Sequence, residues 1–273
     1  MKKILFTDLD RTLFNSRSEI SQRNYDSLVK LGEEGVVRVI VTGRNIHSAK
    51  KVLPEEFPLD YLVISSGAGV IDFKNKKILA KWEIDNQLVN EVISFLTAID
   101  VDFMVHAPIP DNHHFEYFQS SHPCPDTLRR IELNADFATP YQGRYQQNAS
   151  QLLSIVEADK EHIVEHAIES LPDLSIIRAT SPLDHESIWI EIFPAGVDKG
   201  YACRKVIRKL GFTPDEAVAI GNDYNDIAML ESFTDSYVVA NAPQLMKDKY
   251  KTVKSDDEDG FTEMLKHHFD FIS

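Results

Sequence analysis

Lys-Ile-Leu-Phe-Thr-Asp-Leu-Asp-Arg-Thr, residues 3–12, is the stretch on which the reading of this chain turns. Ile4, Leu5 and Phe6 make a short apolar run of the kind found in a strand buried on both faces. Two carboxylates, Asp8 and Asp10, follow at once, with Thr12 beyond. Acids at the carboxyl end of a buried strand are where an open parallel sheet places its chemistry.

The segments downstream repeat this rhythm. Ser18–Ser21 opens a helical pattern that Gly35 can stop. Val36–Val41 reads as a second buried strand ending in Thr42-Gly43-Arg44, and Tyr61–Ile64 as a third ending in Ser65-Ser66-Gly67. Strand, helix, strand, helix, strand predicts right-handed βαβ units and a doubly wound α/β fold with a parallel sheet. Val70–Phe73 and Lys77–Ala80 read as a hairpin. From about Trp82 the rhythm changes: helix 86–99, strand 101–105, a Pro- and His-rich loop 106–125, helix 126–134, an unpatterned stretch to Ala149, strand 151–157, helix 159–170 and strand 174–180. This predicts an inserted α+β domain over 82–187, with the core built from 1–81 and 188–273. Ile188–Phe193 is expected to return to the core sheet, followed by helix 198–210 and strands at 217–220 and 237–240.

A chain of 273 residues, 43% of them hydrophobic, can bury a large core. Two cysteines, Cys124 and Cys203, supply neither a disulfide framework nor a Cys-rich zinc site, which suits a reducing cytoplasm. No run approaches membrane-spanning length. A net charge of −14 argues against nucleic acid or an anionic membrane as partner. The same charge repels a phosphate-bearing substrate, so an enzyme acting on phosphates must gather its cations locally or use a divalent metal.

Four strand ends then converge on one edge of a parallel sheet: Asp8 and Asp10 after the first strand, Thr42 after the second, Lys199 at the start of the helix after 188–193, and Asn222–Asp226 after 217–220. Oxygen ligands in that set can hold Mg2+. Thr42, the backbone N–H groups at Gly43, and Lys199 can hold a phosphate. His106, His113 and His114, with Phe115, Tyr117 and Phe118, fall in one expected loop, either as exposed histidines without a role or as a pocket that reads a sugar's hydroxyls.

In these four motifs the chain resembles the haloacid dehalogenase superfamily, in its Cof-type phosphatase branch. Asp8-Leu-Asp-Arg-Thr12 is similar to the first motif, Thr42-Gly-Arg44 to the second, Lys199 within Gly196–Gly200 to the third and Gly221–Asp226 to the fourth. The resemblance runs the full length and implies that the insert is the family's large α/β cap. It implies a Mg2+-dependent phosphatase of small phosphorylated metabolites, sugar phosphates above all. Asp8 would be the nucleophile that becomes an aspartyl-phosphate, and Asp10 the acid and base. Thr42, Gly43, Arg44 and Lys199 would bind the phosphate, and Asp8, Asp10, Asn222, Asp223 and Asp226 are the metal-ligand candidates. A phosphotransferase or phosphomutase on the same scaffold, or a non-catalytic phosphometabolite sensor, are the alternatives. Three positions depart from the family pattern: Arg11 where Gly is usual, Asn222 where an acid is usual, and Ser66 where Asn is common. The first leaves open whether Arg11 meets the cap, substrate or water; the second, which of Asn222, Asp223 and Asp226 ligates the metal.

Overall fold

A computed structural model describes residues 2–272. The described chain divides into two compact units, one formed by residues up to 44, 49–80 and from 198 on, the other by 45–48 and 81–197.

In the first unit, β1 (Ile4–Thr7) leads through a tight loop to α1 (Gln22–Glu33), which starts where the Ser21 side chain accepts the Asn24 amide. β2 (Val37–Val41), α2 (Ile46–Lys50), β3 (Tyr61–Ile64), β4 (Gly69–Asp72) and β5 (Lys77–Lys81) follow. The second unit contains α3 (Asn86–Ala98), β6 (Phe103–His106), β7 (Phe115–Phe118), α4 (Pro125–Leu133), β8 (Ala138–Pro140), β9 (Gln151–Val156), α5 (His162–Ser170), β10 (Leu174–Thr180) and β11 (Ile188–Pro194). The chain then re-enters the first unit with α6 (Lys199–Leu210), β12 (Ala217–Gly221), α7 (Ile227–Glu231), β13 (Asp235–Val239), α8 (Gln244–Lys249), β14 (Lys251–Val253) and α9 (Gly260–Lys266).

The first unit's sheet runs β14-β13-β12-β1-β2-β3-β4-β5, parallel as far as β3, with β4 antiparallel to β3. β1 is central, its four residues all buried, as a strand covered on both faces requires. In register, Thr7 lies beside Ile40 on β2 and Ile220 on β12, so these three strands end together. That common edge carries the four motifs.

The second unit's sheet runs β10-β11-β9-β6-β7-β8. Two findings here correct the sequence reading. β11 is not a core strand: it pairs antiparallel with β9 and β10, so the second unit runs to Val197 and the chain returns to the first unit ten residues later than 188. Its run of apolar residues arises because both faces are covered. Ile188, Ile190 and Ile192 join one core cluster with α3 and α5 residues, while Trp189 joins another with Met104, Leu153 and Ile155. The expected loop 106–125 contains β7, and the unpatterned stretch before Ala149 contains β8. Among the described residues, no helix is long and apolar enough to cross a membrane.

Candidate active site

The carboxyl edge of β1, β2 and β12 sets the site. Asp8 sits one residue past β1, held by its amide donating to the Ile220 carbonyl at 3.0 Å. Thr42 sits one residue past β2; its amide donates to Val63 O at 2.9 Å, and its hydroxyl oxygen accepts the Arg44 amide at 3.1 Å. Gly43, in the turn between them, is exposed. Asp198 begins α6 by accepting the Tyr201 amide, which leaves Lys199 as the first helical residue.

Lys199 is almost wholly buried and donates to two carboxylates, Asp8 Oδ1 at 2.7 Å and Asp226 Oδ1 at 2.6 Å. The second Asp226 oxygen accepts the amides of Asn222 at 2.8 Å and Asp223 at 3.0 Å. Asp226 therefore has both oxygens committed to holding Lys199 and the turn after β12, which argues against it as a direct metal ligand. Asp223 forms a reciprocal capping box with Asp226 in that same turn. Burial works against the Lys199 ammonium, but the Asp226 and Asp8 carboxylates outweigh it and hold its proton above the ordinary lysine range. Burial pushes the Asp8 carboxyl up to about 8, opposed by Lys199 and reinforced by Asp226. Two buried carboxylates around one ammonium leave a negative charge in excess. A proton relieves that excess, and so does a cation.

The donor set fits a hard cation. One atom of the Asn222 side-chain amide lies 3.1 Å from Asp8 Oδ2, 3.2 Å from the Asp10 carbonyl oxygen and 3.0 Å from Thr12 Oγ1. With nitrogen in that place, its two protons are shared among these three oxygens; with oxygen there, the Thr12 hydroxyl donates to it, while the Asp8 and Asp10 oxygens face it with no proton between. Mg2+ takes six oxygens at about 2.0–2.1 Å, so neighbouring ligand oxygens stand about 3 Å apart. Asp8 Oδ2 and Asp10 O each stand at about that distance from Asn222 Oδ1, at 3.1 and 3.2 Å. Among the described residues no cluster of three His, Cys, Asp or Glu side chains suits a metal; this set draws on a backbone carbonyl and an amide instead.

Arg44 does not stand free for a phosphate. Its Nε and Nη2 grip both oxygens of Asp10, at 2.8 and 2.7 Å. Arg11 is also accounted for: its Nε donates to the buried Asp256 at 2.6 Å, and its carbonyl accepts the Asn241 amide at 2.9 Å.

Sequence reasoning missed the residues that let these groups meet. A Cβ on Gly221 would come within 2.6 Å of the Asp226 carboxylate, and one on Gly67 within 2.2 Å of the Asp198 carbonyl just before Lys199. The turn carrying Gly67 has positive φ at Ser65, Ser66 and Gly67 in succession, a strained backbone of the kind found at functional sites. Gly221 at the end of β12 and Gly67 in the turn after β3 were the available signal.

Residues 5–265 match the haloacid dehalogenase-like hydrolase family, and the chain belongs to that family. Similar proteins include two from Bacillus subtilis (strain 168) described as 5-amino-6-(5-phospho-D-ribitylamino)uracil phosphatases. YwtE is 26% identical, with 94% of this chain and 95% of the relative covered. YcsE is 24% identical, with 97% and 95% covered. Among solved structures, the HAD subclass IIB sugar phosphatase BT4131 matches with a TM-score of 0.77 at 19% identity, covering 97% of this chain and 98% of that one. At that identity the likeness carries the fold. The protein is a phosphoric monoester hydrolase, which sets aside the non-catalytic sensor.

Proposed function

We propose that this enzyme is a Mg2+-dependent phosphatase of small sugar or polyol phosphates and works through an aspartyl-phosphate on Asp8. The observation that carries the proposal is the state of the Asp8 carboxylate. One of its oxygens is on Lys199 and the other faces Asn222 in a cluster short of one positive charge. Family phosphotransferases generally use Mg2+, and here Asp8, the Asp10 carbonyl and Asn222 would hold it. When bound it neutralises charge on the phosphoryl oxygens and on the attacking carboxylate.

Asp8 attacks phosphorus, forming an O–P bond as the ester O–P bond breaks, and Asp10 delivers a proton to the departing alkoxide. Asp10 then takes a proton from water, which attacks phosphorus, frees Asp8 and releases inorganic phosphate. Lys199 holds Asp8 in place and offsets its repulsion of the incoming dianion, while Thr42 and the Gly43 amide receive phosphoryl oxygens. Arg44, gripping both Asp10 oxygens, leaves no place for the proton Asp10 must deliver. The entering phosphate dianion competes for the guanidinium, opens the pair and frees Asp10 to act as an acid. The inserted unit supplies the groups that select the alcohol portion. The two Bacillus relatives named for a ribityl phosphate support a polyol chain as that portion.

Asp8→Asn should remove turnover of p-nitrophenyl phosphate with Mg2+ present, and the wild-type enzyme should yield a phosphorylated Asp8 peptide on acid quench. Retained turnover in the variant would exclude covalent catalysis at this residue.

A further inference from the structure

Residues 65–68 join β3 to β4, yet two of the amides in this link are spent outside it. The Ser65 amide donates to the Arg44 carbonyl at 2.9 Å, and the Ser66 amide to the Thr42 carbonyl at 3.1 Å. Both acceptors belong to the turn after β2, one on either side of Gly43. Ser65, Ser66 and Gly67 are buried, whereas Gly43 is exposed.

Successive amides of an extended strand point to opposite edges. Two in a row can address the same neighbour only if the chain bends sharply between them. It does so through φ 47 at Ser65, and Ser66 follows at φ 47 and ψ 29, both in the left-handed region. A four-residue link between antiparallel strands is most often built on a type I turn, which needs no positive φ. Serine enters the left-handed region at a cost that glycine escapes, so the closing of a hairpin does not explain this backbone. On the other side the turn meets the segment that carries Lys199: a Cβ on Gly67 would stand 2.2 Å from the Asp198 carbonyl oxygen.

The consequence falls on Gly43. A trans peptide is planar, with its C=O and N–H pointing in opposite directions. The Thr42 carbonyl and the Gly43 N–H share one peptide, so a carbonyl drawn to Ser66 turns that N–H the other way. β2 lies between β1 and β3 in the sheet. With the Thr42 carbonyl bonded on the β3 side, the Gly43 N–H is directed to the β1 side, the side of Asp8.

We propose that Ser66 is a positioning residue: held left-handed, its amide fixes the Thr42–Gly43 peptide so that the Gly43 N–H donates to a phosphoryl oxygen beside Asp8. This rests on the phosphatase reading above and says what aims one of its phosphate donors. The role belongs to the backbone and not to the Ser66 hydroxyl, and substitution separates the two. Threonine keeps the hydroxyl, but its branched Cβ makes the left-handed conformation costly. Glycine drops the hydroxyl and takes that conformation freely.

The test titrates 15N-glycine-labelled enzyme with inorganic phosphate in the presence of Mg2+ and reads the dissociation constant from the glycine amide resonances. Ser66→Thr should bind phosphate roughly 10- to 100-fold more weakly than Ser66→Gly, the range for one lost hydrogen bond to a charged group. The Gly43 amide proton should move downfield on binding in Ser66→Gly and less in Ser66→Thr. A difference in affinity below threefold overturns the proposal, whatever happens to the urea midpoint, because a turn that only supports the fold would cost stability alone. The reverse order overturns it as well and assigns the contact to the hydroxyl. Should Ser66→Thr fail to fold, Ser66→Ala takes its place under the same criterion; it and Ser66→Gly both lack the hydroxyl, so only the backbone preference differs. Failure of the underlying reading looks different: the wild-type Gly43 resonance would then ignore phosphate altogether.

Discussion

Arg11 adopts φ 60 and ψ 18, the left-handed region, at a loop position where family members usually carry glycine. Holding a side chain there costs about 1–2 kcal/mol. The offset is visible: a charge-assisted hydrogen bond from Nε to the buried Asp256 at 2.6 Å, worth about 1.5–3 kcal/mol. Asn241 completes the tie by donating to Arg11 O and accepting from the Asp256 amide at 3.1 Å. Arg11→Gly therefore relieves strain, loses the bond and adds about 0.5–1 kcal/mol of glycine backbone entropy, for a net loss of about 1–2 kcal/mol. Asp256→Asn should be harmful with Arg11 present, because the strain then lacks its offset, and much milder when combined with Arg11→Gly. The double-mutant cycle should show a coupling of about 1.5–3 kcal/mol. The amide of Phe14, which closes this loop on Leu9 O at 2.8 Å, reads local opening by hydrogen exchange. The extra exchange caused by Asp256→Asn should be roughly 10- to 100-fold larger in the wild-type background than in the Arg11→Gly background. Additivity within about 0.5 kcal/mol would refute the idea that Asp256 holds Arg11 in place of a glycine.

Gly221→Ala should drive its Cβ into Asp226, displace Lys199 from Asp8 and lower kcat/KM about 10²-fold with the fold retained, measured with p-nitrophenyl phosphate; near-normal kinetics would show that Asp226 has room to give. Asp235, bonded by Lys2 at 2.7 Å and Lys251 at 2.9 Å, is held down to about 2, first by the Lys2 hydrogen bond and then by that of Lys251. A depressed carboxylate contributes stability above its unfolded value near 3.9 and loses it as pH falls towards about 2. Asp235→Asn should accordingly flatten the pH dependence of the urea midpoint between about pH 4 and pH 2 relative to wild type; an unchanged slope counts against the pairing.

Much of this site was legible because period and position carry it. Ile4-Leu5-Phe6 reads as doubly buried, strands of that kind run parallel, and parallel strands deliver their trailing residues to one edge, so Asp8, Thr42 and Asn222–Asp226 could be grouped before any coordinates. β11 shows the limit of the same inference. Ile-Trp-Ile-Glu-Ile-Phe is buried at every position because α3 and α5 cover one face and the Trp189 cluster the other. An antiparallel strand paired on both sides, in a sheet covered on both faces, has the pattern of a parallel one, and only pairing partners distinguish them. Arg44 shows a different limit. Its match to the second motif suggested phosphate, but the bidentate bond to Asp10 joins positions 34 residues apart, which no local spacing encodes.

The choice among Asn222, Asp223 and Asp226 turns on charge rather than pattern. All three offer oxygens at the end of β12, and an acid is usual where Asn222 stands. Yet Asp226 is consumed by Lys199 and two backbone amides, and Asp8 with Asp226 already exceeds the single ammonium between them. An aspartate at 222 would set a further negative charge 3.1 Å from Asp8 Oδ2 and raise the excess from one to two before any cation arrived. The amide supplies an oxygen to a cation, or a nitrogen to Asp8 in its absence, and is the one side chain of the right length that serves both states without adding to that repulsion. On the Mg2+-dependent mechanism proposed above, Asn222 would thus keep the edge of the sheet stable with or without the cation, at the expense of the charge that would hold it more tightly.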